Sequence, residues 1–195
     1  MEFIEQIERF FNFLKSNLSD FDYKSISDMR EKFNNDYNLI GSYVKDYLTL
    51  KNDYLICDNN KIYSEFVRYF TNCTSTKGIN YFLDDFCLFA DYYLILIFER
   101  KFHFSLIDNE ILGYIETLNL FFAIELYPYL LEKLDKFLNL KIDRNIFSSV
   151  LKLLVDIVVD RDIKNSQEEI NLRILDYDIN RMLLERQNKT GRLVG

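Results

Sequence analysis

Few side chains in this sequence are placed to do chemistry, and their spacing works against the common reactions. His103 is the single histidine among 195 residues. Any mechanism needing two imidazoles is therefore excluded, including most zinc hydrolase sites and the paired Glu-x-x-His motifs of di-iron bundles. Ser105 follows two residues after His103, but the pair falls at a predicted helix junction with neither a nucleophile elbow nor an oxyanion signature. A histidine there serves more simply as a partner for the last carbonyls of its helix. Cys57, Cys73 and Cys87 are odd in number and form no CxxC pair. They read as buried small hydrophobes in a reducing cytoplasm, not as a disulfide framework or a zinc site. Neither a GxxxxGKS/T nor a GxGxxG motif occurs, and five glycines leave little backbone with which to cradle a phosphate. No catalytic residue, cofactor or metal is expected.

What remains is carboxylates at helical spacing. Asp28 with Glu31, and Asp156 with Asp160, each fall on one helical face, and Asp20, Asp22 and Tyr23 stand in what reads as the loop before the first pair. These seven residues are the candidate partner-binding set, although any one of them also fits the ordinary solvated face of a helix. Asp84, Asp85 and Asp91 interrupt the most apolar part of the chain and are expected as the exposed stripe of a central helix. The 14 tyrosines and 18 phenylalanines, with no tryptophan, should mostly fill the core, exposed tyrosines being available as interface anchors.

Charge narrows the partner. Twenty-four basic against 31 acidic residues give a net charge of −7. Nucleic acid and anionic membrane both recruit Lys and Arg, so neither is expected as a direct partner, and a basic protein is the natural complement. The C-terminal Arg173, Arg181, Arg186, Lys189 and Arg192 form a local basic edge, but Glu169, Asp176, Asp178 and Glu185 are spaced to pair with them. The first eight residues contain three acids, unlike a signal peptide, and the apolar run Phe86 to Phe98 is too short for a bilayer and contains Asp91.

The elements that must position these residues are helical. Hydrophobic residues make up 49% of the chain, while five glycines and one proline are too few for the tight turns of sandwiches, barrels or βαβ folds. Apolar positions 3, 4, 7, 10, 11, 14 and 18 predict a first helix over about Glu2 to Leu18. Ser25 is the expected cap of a long second helix ending near Lys51, followed by a connection over Asn52 to Asn60 in which Tyr54 to Cys57 suits one short extended piece. A third helix covers Lys61 to Asn72. Thr74 to Gly78 reads as a loop, and a fourth helix runs from Asn80 to Lys101. Ser105 with Asp108 suggests a capping box for a fifth helix, Pro128 the first turn of a sixth, Asp143 the cap of a seventh, and Ser166 with Glu169 the box of an eighth.

The expected fold is thus an all-α, compact antiparallel bundle of about eight helices, with a short stack of helical hairpins as the alternative. Residues 1–187 form one helical domain and 188–195 a frayed polar tail. The functional expectation is a non-enzymatic, acidic, cytoplasmic inhibitor: an immunity protein neutralising a cationic toxin such as a nuclease domain. The alternatives are a phage or viral helical inhibitor or adaptor, and an enzyme or small-molecule sensor with an interhelical pocket.

Overall fold

The computed structural model describes residues 3–55, 57–98, 106–121, 123–163, 171–172 and 174–181. Among these the protein is all-α. Its helices are α1 Phe3–Asn17, α2 Asp20–Lys32, α3 Tyr37–Lys51, α4 Ile62–Lys77, α5 Ile79–Phe98, α6 Asn109–Leu120, α7 Tyr127–Leu138 and α8 Arg144–Ile163. A 3-10 turn, Ile124–Leu126, precedes α7, and residues 174–181 are also helical. None of these helices is long and apolar enough to cross a membrane. The chain divides into two compact units, 1–94 and 95–195, with the division inside α5.

In the first unit α1 packs on α3 and α4, which pack on each other, and α2 leans on α1. The core between them is aromatic. Phe10 of α1 meets Phe66 of α4 edge-on at 4.4 Å, and Phe86 of α5 lies 5.1 Å from Tyr43 and 5.0 Å from Tyr47 of α3. Such offset and edge-on pairs add to the hydrophobic gain of burying the rings. Tyr43 is fully buried and donates its hydroxyl hydrogen to the Phe86 carbonyl, so the phenol enters the core with its polar end satisfied. The close approach of α1 to α3 is centred on Gly41, where the Phe3 ring and Ile7 occupy the space a side chain would need.

In the second unit α6 and α7 pack on α8, and Phe137 stacks on Phe147 at 4.6 Å. Arg144, at the start of α8, reaches Asp108 at 2.6 Å and also Glu110 at the start of α6. Lys133 of α7 is buried with its ammonium 2.6 Å from Asp176, which ties the helical residues 174–181 to α7.

Several boundaries depart from the sequence expectation. The long second helix is broken after Lys32, because Asn34 and Asn35 both adopt left-handed φ values, 54° and 56°, and Asp36 restarts the chain as the cap of α3 by accepting from Asn38 N and Leu39 N. The expected loop at Thr74 is the last turn of α4. There the Thr74 and Thr76 hydroxyls bond the carbonyls of Phe70 and Asn72 four residues back, at 2.8 and 2.7 Å, so these residues sit within the helix until Gly78 ends it with φ 91°. Tyr54, Leu55 and Cys57 form no strand. The expected caps Asp108 and Asp143 are in place, accepting from Ile111 N and Ile146 N. Ser105, Ser166 and Glu169 lie outside the described residues.

Candidate functional site

Ser19, not Ser25, starts α2. Its backbone is extended (φ −65°, ψ 161°), its Oγ accepts from Asp22 N at 3.2 Å, and its hydroxyl donates to Asp22 Oδ2 at 2.7 Å. Asp20, Asp22 and Tyr23 therefore occupy the first turn of a helix and not a loop. The helix starts here because Asp22 stands three residues after Ser19 in a capping arrangement, and carboxylates are favoured beside the free N–H groups of a helix start. Asp22 serves that cap. Tyr23 is half-buried.

Ile26 and Met29 face the core, which leaves Asp20, Asp28 and Glu31 exposed. At about 100° per residue these three carboxylates fall within roughly a quarter-turn of one another on the outer side of α2. Phe21, 86% exposed, is seven residues before Asp28 and lies nearly in line with it along the helix. Lys32, on the same side, is engaged at 2.6 Å by Asp91 of α5. The face thus combines a projecting aromatic ring with three carboxylates and two lysines, Lys24 and the Asp91-bound Lys32. The aromatic member of the expected set is Tyr23. The ring that projects is Phe21, which periodicity alone could have placed once the helix start was known.

Asp156 and Asp160 are exposed on α8, four residues apart, in the second unit. Asp160 already takes part in an interaction. Ile163, exposed and three residues beyond Asp160, is the apolar neighbour on that side. The seven candidates thus fall on two helices, five on α2 and two on α8.

The acids of α5 behave differently from one another. Asp84 is exposed as expected, and Asp91 holds Lys32. Asp85 turns inward: its carboxylate lies 2.8 Å from Lys51 Nζ, accepts from Tyr47 OH at 2.6 Å, and through Tyr47 connects to Tyr69 OH at 3.1 Å. Burial holds the hydroxyls of Tyr47 and Tyr69 well above the ordinary tyrosine value, so both are neutral donors. Beside this network α3, α4 and the turn at Cys57 and Asp58 enclose an open cleft of about 610 Å³. Sequence reasoning missed it because its walls come from residues distant in the chain.

Burial pushes the thiols of Cys57 and Cys87 up to about 11, so neither is an activated nucleophile near neutral pH. Among the described residues no cluster of three or more His, Cys, Asp or Glu is arranged to hold a metal ion. His103 lies outside the described residues. No family model matches the chain, and no curated protein or solved structure matches it either.

Proposed function

We propose that the protein is a non-enzymatic binding protein that docks the outer face of α2 on a cationic protein. The observation that carries this reading is Phe21, 86% exposed and in line with Asp28. A phenyl ring left in water forgoes about 1.5 to 3 kcal/mol of burial energy, which a partner's apolar pocket would recover. Asp20, Asp28 and Glu31 around it supply the carboxylates that steer a positively charged partner into register. The most concrete form is an immunity protein in the cytoplasm that neutralises a toxin nuclease, its carboxylates taking the place of substrate phosphates in the basic groove.

The experiment is affinity capture from the native cell with the wild-type protein and Phe21→Ala side by side, followed by assay of the captured protein for nuclease activity. The expected result is a basic nuclease held by the wild type, inhibited by it, and lost with Phe21→Ala. Identical capture by both proteins, or a captured protein that remains active in the complex, would overturn the reading.

A further inference from the structure

We propose that the cleft between α3 and α4 binds a small zwitterion of short-peptide size, with the ligand carboxylate on Lys61 and the ligand ammonium on Asp58. This site shares no residue with the α2 face and stands independently of it. The cleft, about 610 Å³, lies within the roughly 300 to 1,000 Å³ usual for small-molecule sites. One face of α4 lines it, because Glu65, Arg68 and Asn72 follow Lys61 at intervals of four, three and four residues; Lys51 and Asn52 approach from the end of α3.

The charges decide the ligand class. Lys51, Lys61 and Arg68 line it together with Asp58 and Glu65, and Asp85 pairs with Lys51, so bases and acids are equal in number. In a chain of net charge −7 that balance gives a strongly anionic ligand no net attraction. Four of the six are already matched: Lys51 with Asp85, and Arg68 with Glu65. The remaining two carry the recognition. Among the described residues no carboxylate lies within ion-pair distance of the Lys61 ammonium. Asp58 uses Oδ1 to accept from Asn60 N at 2.9 Å, which leaves Oδ2 for a ligand. A molecule bearing one carboxylate and one ammonium satisfies both. Asn52, Asn72 and the Tyr69 hydroxyl are suited to peptide amides, and Leu48 offers an apolar contact.

The test is a titration followed by NMR amide shifts, using trialanine, its N-acetylated form, its C-amidated form, and inorganic phosphate. The free peptide is expected to bind and to shift amides along α4, with each capping group weakening it about tenfold. Lys61→Gln should weaken the free peptide without further weakening the amidated one. Asp58→Asn, which keeps an acceptor for Asn60 N, should weaken the free peptide without further weakening the acetylated one. Both side chains are exposed, and an unchanged circular-dichroism melt confirms that the variants fold. Equal binding of capped and free peptides, tighter binding of phosphate, no α4 shifts at saturating trialanine, or indifference to both substitutions would each overturn the assignment.

Discussion

Lys51 and Asp85 form an ion pair 2.8 Å long between α3 and α5, with their side chains only 20% and 15% exposed. The Lys51 ammonium also lies 4.1 Å from the centre of the Phe89 ring, so the cation is held by a carboxylate and an aromatic face together. Removing one partner strands the other in a poorly hydrated place, whereas removing both does not. Lys51→Ala is expected to cost about 2 kcal/mol, below the value for a fully buried pair because some water still reaches this one. Urea unfolding of the two single variants and Lys51→Ala/Asp85→Ala should show the double variant costing less than the sum. Strict additivity would mean the pair contributes nothing as a pair.

Asp46 on α3 gives the first unit a pH dependence. Burial raises its carboxyl from 3.8 to about 7, with Lys45 and a hydrogen bond from Tyr93 pulling it back only in part. The folded state therefore keeps a proton that the unfolded chain releases near 3.8. Stability contributed here is fully present below that value and falls as pH rises towards about 7, above which the penalty is constant. Because the side chain is only partly buried, Asp46→Asn should stabilise by a discounted 1 to 2 kcal/mol, roughly, at about pH 8 and by almost nothing at about pH 4. Denaturant melts at the two pH values measure it, and a gain at the lower pH alone would contradict the sign.

The start of α2 is tested by two serines. Ser19→Ala removes the hydroxyl that holds Asp22 N and Asp22 Oδ2 and should cost about 1 kcal/mol. Ser25→Ala, at the start expected from sequence but inside the helix and exposed, should stay within about 0.5 kcal/mol of wild type. Equal costs would mean that Ser19 is not the cap.

Helical class was legible because apolar residues recur at helical spacing almost throughout, as in Phe3, Ile7, Phe10 and Leu14. Boundaries were less so. An unbroken stripe from Ile26 through Phe33 and Tyr37 to Leu48 hides the break at Asn34 and Asn35, since two left-handed residues turn the chain and the stripe then resumes in α3. Threonine and serine at 74–76 carry the same polarity in a loop as in a helix end, and only the bond from Thr74 to the Phe70 carbonyl separates the two. For the candidate face, exposed Asp28 and Glu31 followed from periodicity, whereas Phe21 required the helix start to be right. Asp85 could not be told from Asp84 by sequence, because their difference is made by Lys51 and Tyr47, more than thirty residues away.

The two acidic faces make the binding reading quantitative. If a cationic partner docks on α2, mobile ions will screen the approach beyond roughly 8 Å at physiological salt, so the association rate should fall steeply as salt rises while dissociation changes less. Asp28→Lys/Glu31→Lys should lower that rate by at least tenfold at low salt, because it reverses two charges beside Phe21. Asp156→Lys/Asp160→Lys changes the net charge of the whole protein by the same amount on α8, and is the comparison for the α2 reversal. Phe21→Ala should act on the other rate: loss of a ring seated in a pocket is expected to cost about 2 kcal/mol or more and to appear as faster dissociation. Stopped-flow kinetics with the captured partner across a salt series separates these contributions. A larger effect from the α8 reversal than from the α2 reversal would move the interface to α8. An association rate indifferent to salt and to both reversals would remove the electrostatic mechanism altogether.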